Sequence, residues 1–233
     1  MKAIILAGGK GTRLKPYTIS IPKPLVPIGD HPILEIVIKQ FRKYGFIDIV
    51  LSVNHMSELI RAYFGDGEKL GVNIEYSLEE KPLGTAGPLS LIKDPGEDFI
   101  VINGDILTDL DFSKLVKYHK KGPQIATVVS FKREVLIDLG ILQMDKKNFV
   151  ENYIEKPVLK YDISAGIYVF KKSALAYIDK GRHMDLPGLI MRLVKGGERV
   201  NAYNHNGLWF DIGTSSDYEE AAKSFSENRS LFL

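Results

Sequence analysis

Cysteine is absent from the 233-residue chain. That excludes a disulfide framework, a cysteine-ligated zinc or iron–sulfur centre, and a cysteine nucleophile. An excess of one charge is missing too: 31 Lys and Arg stand against 29 Asp and Glu, a formal net charge of +2. So balanced a surface has no field to gather nucleic acid or an anionic membrane, and neither is expected as a partner. No apolar run approaches the ~20 residues that a bilayer span needs. The opening Met1-Lys2 and Ala3–Ala7 mimic a leader, but the apolar stretch stops at Gly8-Gly9 and gives way to Lys10 and Arg13. That is too short for a signal h-region, so a cytoplasmic protein is expected. No repeat, low-complexity tract or Gly/Ser linker interrupts the chain, which reads as one domain over residues 1–233.

What is present is an alternation of two periods. Residues 2–7 are apolar throughout, as in a strand covered on both faces. Ile33, Ile36, Val37, Phe41 and Tyr44 then share one helical stripe, with Asp30 placed as N-cap, Pro32 in the first turn and Gly45 as the stop. Strands are predicted at 48–53, 73–78 and 99–103, and helices near 57–64, 85–92 and 113–121. Further strands fall at 125–132, 140–144, 149–154, 165–170, 199–204 and 208–211. Helices near 173–178, 186–195 and 215–223 complete the pattern. This alternation predicts an α/β fold, a three-layer α/β/α sandwich with a Rossmann-like, mostly parallel sheet. The strands clustered between 125 and 170 predict a small antiparallel insertion. Ligands of such sheets bind beyond the carboxyl ends of the strands.

The first strand end reads Leu6-Ala7-Gly8-Gly9-Lys10-Gly11-Thr12-Arg13. Three glycines in four positions let backbone N–H groups close on an anion, and a guanidinium beside them can clamp phosphate oxygens. Gly11-Thr12-Arg13 breaks the P-loop order, and Leu14 stands where a dinucleotide loop needs its third glycine. Downstream come Ile21-Pro22-Lys23-Pro24-Leu25, Phe64-Gly65-Asp66-Gly67, Pro82-Leu83-Gly84-Thr85-Ala86-Gly87, Asn103-Gly104-Asp105, Glu155-Lys156-Pro157, Ala165-Gly166-Ile167-Tyr168 and Asp211-Ile212-Gly213-Thr214. This ordered set, spanning nearly the whole chain, resembles the sugar-1-phosphate nucleotidyltransferases.

The resemblance implies attack of a sugar 1-phosphate oxygen on the α-phosphorus of a nucleoside triphosphate (NTP), releasing pyrophosphate. Both reactants are anions, so positive charge and positioning are required rather than a covalent nucleophile. Arg13 and Lys23 match the family's triphosphate-side cations, and the prolines flanking Lys23 stiffen its loop. Leu6, Ala7, Gly8, Gly9, Gly11, Thr12, Gly84, Thr85 and Gly104 fall in the nucleotide-binding motifs. Asp105 and Asp211 match a pair that holds Mg²⁺ against phosphate oxygens, a donor set suited to that ion. Lys156 matches the lysine on the sugar phosphate, while Gly140 and Glu155 match sugar contacts, with Gly140 leaving room for the pyranose. Ser164 stands where the family often has Asn, which weakens the sugar contacts.

Glu79 and Glu80 precede the Gly84-Thr85-Ala86-Gly87 segment, which is similar to that of mannose-1-phosphate guanylyltransferases. A carboxylate can accept both N1–H and the exocyclic amine of guanine, so GTP is the favoured substrate. The alternatives are a uridylyl- or thymidylyltransferase for glucose 1-phosphate or N-acetylmuramate 1-phosphate, and a non-catalytic regulatory homologue. Many family members carry a C-terminal β-helix; this chain ends soon after Asp211, so transferase activity alone is expected. Asp109 and Asp111 read as caps of the following helix. The five histidines have no metal-ligand spacing and read as helix-end or surface residues. The apolar Ser230–Leu233 end is open to docking on a neighbour, and a homo-oligomer stays possible.

Overall fold

A strand that is apolar on both faces belongs inside a covered sheet. In the computed structural model, which describes residues 1–233, β1 (Ala3–Leu6) takes such an interior place. Short 3₁₀ turns and the two-residue strands β2 (Pro27–Ile28) and β3 (His31–Pro32) lead to α1 (Ile33–Lys43). Then follow β4 (Asp48–Val53), α2 (Ser57–Phe64), β5 (Asn73–Leu78), β6 (Asp98–Asn103), β7 (Ile106–Thr108) and α3 (Phe112–Lys120). Next come β8 (Ala126–Leu136), β9 (Ile141–Met144), β10 (Val150–Ile154) and β11 (Val158–Lys171). The chain closes with α4 (Leu186–Lys195), β12 (Val200–His205), β13 (Trp209–Asp211), α5 (Ser215–Glu227) and α6 (Arg229–Phe232).

The main sheet has seven strands in the order β12-β8-β11-β6-β1-β4-β5. Its β6-β1-β4-β5 and β12-β8 pairs are parallel, and β11 runs antiparallel between the two blocks. Side-chain alternation assigns the faces. Ala3, Ile5, Ile100, Ile102, Ile167 and Val169 pack with α1, α2 and α3 on one side. Ile4, Phe99, Val101, Tyr168 and Phe170 pack on the other against α4 and two 3₁₀ turns. A third cluster, with Leu14, Ile36, Leu107, Ile212 and Phe225, seals the loops against α5 and α6. These are the three layers expected. No helix is long and apolar enough to cross a membrane.

Several local expectations change. The segments at Gly87–Leu91 and Lys172–Tyr177 are 3₁₀ rather than α-helical, the first with Pro88 in its opening turn, and serve as the short connectors in which that tighter helix is common. Asp30 does not cap α1; Pro32 holds the N-cap position and Asp30 pairs with Arg229 at 2.8 Å, fastening α6 to the start of α1. Asp111 caps α3 by accepting from the Lys114 N–H at 3.0 Å, whereas Asp109 turns to β13. The C-terminal end docks within the chain itself, with Phe232 fully buried beside Phe225.

His119 is not a surface residue but is fully buried on α3, with Nδ1 2.8 Å from the Thr127 hydroxyl and Nε2 lacking a hydrogen-bond partner. Burial holds its pKa below the ordinary histidine value, with Asp98 opposing and Lys171 and Lys120 reinforcing the shift. The folded state therefore binds a proton less readily than the unfolded one. Stability from this group is complete above the unfolded value, roughly 6.5, and is lost as pH falls below it, by at most about 1.4 kcal/mol per pH unit. Urea midpoints of wild type and His119→Gln across pH 7.5 to 5 test this. The wild-type midpoint is expected to decline below about pH 6.5 and the variant's to decline less; parallel curves would remove His119 from the account.

Candidate active site

The loop after β1 has no regular pairing of its own. The amides of Gly8 to Gly11 donate to no protein acceptor, while the flanking Ala7 N–H donates to the Ser52 carbonyl at 2.7 Å. A backbone rich in free donors at a strand end is a phosphate cradle. Gly11 has φ +62°, and a Cβ there would lie 2.9 Å from the Lys23 Cβ, so only glycine lets the Lys23 loop close so tightly. Gly104 is equally confined, since a Cβ would stand 2.9 Å from the Leu6 carbonyl oxygen.

These loops bound a cavity of about 330 Å³ beyond the carboxyl ends of β1 and β6. Leu6, Gly8, Gly9, Lys23, Glu79, Gly84, Thr85, Gly104 and Asp105 all line it. Ala7 is buried behind the wall, Thr12 and Arg13 are exposed in the same loop, and Glu80 faces solvent outside the lining. Glu79 is buried rather than a solvated turn: Oε1 accepts from the Ser52 hydroxyl and Oε2 from the Leu83 N–H, both at 3.1 Å. Desolvation raises its pKa, and those two hydrogen bonds oppose the rise. Thr85 is already committed, its hydroxyl accepting from the Leu186 N–H at 2.7 Å at the start of α4.

Asp105 and Asp211, 106 positions apart in the sequence, meet through a small two-stranded ribbon of distant segments. β13 pairs antiparallel with β7 so that Asp211 faces Ile106, and the Ile212 N–H donates to the Asp105 carbonyl at 3.0 Å. Asp109 braces this ribbon, accepting from the Leu208 N–H at 2.8 Å and lying 3.0 Å from His205 Nε2. The Trp209 indole N–H donates to the Ala165 carbonyl at 2.8 Å, tying the ribbon to β11. The buried Lys23 ammonium sits 2.5 Å from Asp105 Oδ2. The Arg13 guanidinium approaches Gly213, two residues past Asp211, to 3.5 Å from where a Cβ would stand. Desolvation and the Asp105 carboxylate push the Asp211 pKa up, while Lys23 and Arg13 oppose the shift. Asp211 is exposed, so solvent screening tempers these effects.

A family model described as nucleotidyl transferase matches residues 2–228. The chain is 37% identical to a UTP–glucose-1-phosphate uridylyltransferase of Synechocystis sp., over 96% of this chain and 63% of that protein. It is 35% identical to a mannose-1-phosphate guanyltransferase of Yarrowia lipolytica, over 94% of this chain and 62% of that protein. The chain thus spans a little under two thirds of the length of these curated relatives. Among solved structures, HddC from Yersinia pseudotuberculosis superposes with a TM-score of 0.75 at 26% identity, over 96% of this chain and 99% of HddC. The chain belongs to the sugar-1-phosphate nucleotidyltransferase family.

Members of this family generally use a divalent metal, and the residues present fit one. Asp105 Oδ1 is buried without any hydrogen-bond partner and so has an acceptor to offer. No group of three or more acidic or histidine side chains gathers around it. Two carboxylates completed by substrate phosphates and water are the donor set magnesium prefers. Asp105 and Asp211 would hold the ion, which supplies charge neutralisation at the phosphate oxygens.

The residues matched to the family's sugar side stand apart from this cleft. Asp211, Trp209, Phe131 and Arg133 bound an adjoining cavity of about 240 Å³. Lys156 and Glu155 are exposed beyond β10 and line neither cavity; Lys156 pairs with Asp138 at 2.8 Å. The space over Gly140 is already filled, because a Cβ there would lie 2.1 Å from the Tyr153 hydroxyl. Its missing side chain accommodates the exposed Tyr153 ring here. Ser164 hydrogen-bonds the buried Tyr168 hydroxyl at 2.9 Å.

Sequence reasoning missed several site residues. Asn54 holds the Glu79 carbonyl at 2.8 Å and lines the cavity. Asn103 lines it too, with a buried Oδ1 that lacks a partner. Met184 and Asp185 pin the 83–87 wall through Ala86 N–H to Met184 carbonyl (2.8 Å) and Thr85 N–H to Asp185 Oδ1 (3.1 Å). Asn103 could have been found from the Asn-Gly-Asp motif; the Met184–Asp185 brace left no sequence signal.

Proposed function

We propose that the chain joins an NTP to a sugar 1-phosphate, forming an NDP-sugar and pyrophosphate, with GTP the favoured nucleotide. The observation that carries this reading is the convergence of Arg13, Lys23, Asp105 and Asp211, from four separate parts of the sequence, beside a loop of free amides. A phosphate oxygen of the sugar 1-phosphate attacks the α-phosphorus. The new P–O bond forms as the bond to the β-phosphate's bridging oxygen breaks, and pyrophosphate carries away the electron pair. The Gly8–Gly11 amides hold the triphosphate, Arg13 and Lys23 offset charge on the leaving group, and Asp105 and Asp211 would hold a divalent ion, which when bound supplies charge neutralisation at the phosphates. Lys156 and Glu155 are assigned to the sugar phosphate. In that role they need the arm that bears them to approach the cleft, a movement that ligand closure often supplies.

Guanine is favoured because Glu79 lies in the cavity with one acceptor site left on each oxygen after Ser52 and Leu83 are served. A structure of HddC carries GMP-PN, which supports the same choice, whereas the Synechocystis relative supports uridine. Turnover of GTP, UTP and dTTP against a panel of sugar 1-phosphates, read as pyrophosphate, tests the reading. Absence of release with every pair would favour a non-catalytic homologue. Glu79→Gln is expected to lower kcat/KM for GTP by roughly 10- to 100-fold, the value of a hydrogen bond to a charged group, while sparing UTP. An equal loss on both nucleotides would remove Glu79 from base selection.

A further inference from the structure

The ribbon that brings Asp211 beside Asp105 is three residue pairs long and belongs to no larger sheet. An isolated pair of strands that short is marginal in water. No turn sets its register, because β7 and β13 come from distant parts of the chain. Apolar patterning does not choose between its faces, since both are covered: Ile106 and Trp209 pack into one core cluster, Leu107 and Phe210 into another. Yet the site depends on that register. A slip of one residue turns a strand's side chains to the opposite face, which would carry Asp211 from the side of Ile106 to that of Leu107.

A polar knot at the far end of the ribbon supplies the missing constraint. The fully buried Thr108 hydroxyl donates to the Leu208 carbonyl at 2.8 Å and accepts from the Leu110 N–H at 3.2 Å. His205 ends β12, and its side chain is 10% exposed. Its Nε2 lies 3.0 Å from Asp109 Oδ1 and 3.2 Å from both the Thr108 hydroxyl and Leu208 carbonyl oxygens. The carboxylate and the carbonyl can only accept, so Nε2 is the protonated ring nitrogen and donates between them. A Cβ on Gly207 would overlap Asp109 Oδ1, so glycine is what lets the knot close. From α1, the buried Gln40 donates to the Thr108 carbonyl, while its own Oε1 has no partner.

We propose that His205 and Thr108 are positioning residues for the metal pair: they fix the register of the ribbon and thereby the spacing of the Asp105 and Asp211 carboxylates. Buried polar groups with an orphaned acceptor are a costly way to join two strands, and a unique alignment is what they give in return. The inference rests on the metal assignment made above.

Trp209 is the only tryptophan, two positions before Asp211 and on the same face of β13. Luminescence of Tb³⁺, an oxygen-seeking stand-in for magnesium, sensitised through this indole therefore reads occupancy of the pair without substrate. Tb³⁺ alone is titrated into the full chain, with Mg²⁺ displacing it. His205→Phe is expected to bind about tenfold more weakly than wild type, the lower end of the effect of losing an outer partner of a metal ligand. His205→Gln, whose amide nitrogen can donate where Nε2 does, should recover most of that affinity. Thr108→Val keeps the shape without the hydroxyl and is expected to weaken binding in the same direction; it decides the matter should circular dichroism show His205→Phe unfolded. A merely structural brace would lower the urea midpoint and leave Tb³⁺ affinity unmoved. Unchanged affinity in the folded variants, or a glutamine variant as weak as the phenylalanine one, overturns the proposal alone. No indole-sensitised Tb³⁺ binding by wild type would overturn the metal assignment, and this inference with it.

Discussion

Asp105→Asn and Asp211→Asn are each expected to lower kcat by on the order of 100-fold or more at saturating magnesium, the scale of losing one charge-stabilising group. Their stabilities should separate. Lys23 is buried with its ammonium 2.5 Å from Asp105. Removing the Asp105 charge leaves that cation without its partner, which for a pair open to solvent on the Asp105 side costs about 1–3 kcal/mol. Asp211 is exposed and repelled by Asp105, which contributes to its raised pKa. Neutralising Asp211 relieves that repulsion, so its variant should unfold within about 0.5 kcal/mol of wild type, the usual range for a surface change. Pyrophosphate release and urea unfolding of the two variants measure both effects. Near-normal turnover in either would contradict the metal assignment. Equal stability loss in both would contradict the placement of Lys23.

How much of this was legible beforehand depends on how each feature is encoded. β1 and β6 declare themselves because a doubly covered strand must be apolar at every position, and Ala3–Leu6 and Phe99–Ile102 are fully or nearly so. The Gly8–Gly11 loop and the aspartates after β6 and at the end of β13 are visible because strand ends carrying Gly or Asp are short, local patterns. Side chains whose role is set by distant partners are not visible. Thr85 and Leu186 meet across 101 positions, so the Thr85 hydroxyl reads equally well as a ligand contact until the fold shows it capping α4. His119 belongs to a polar stretch of α3, and only the placement of β8 buries it. The hairpin β9–β10 is the converse case. Its apolar residues read like those of a core-facing strand, and nothing in their period says that no layer of the same chain covers them.

Arg13→Ala is expected to separate catalysis from stability more cleanly than either aspartate variant. The guanidinium is exposed, forms no ion pair within the chain, and reaches toward Gly213 beside the metal pair. The fold therefore gains little from it, and the variant should unfold within about 0.5 kcal/mol of wild type. Catalysis should lose much more, because the α-phosphate and departing pyrophosphate gain charge in the transition state beside a group that can donate two parallel hydrogen bonds. A fall in kcat/KM of about 10²- to 10³-fold is expected, carried mainly by kcat if the contact strengthens as the bond breaks. Arg13→Lys should recover only a small part, since a point charge restores attraction but not the paired geometry. Steady-state kinetics with the NTP varied at fixed sugar 1-phosphate distinguishes the outcomes. A rise in KM for the NTP with kcat unchanged would reduce Arg13 to a ground-state binding residue, and full activity in the lysine variant would show that charge alone suffices.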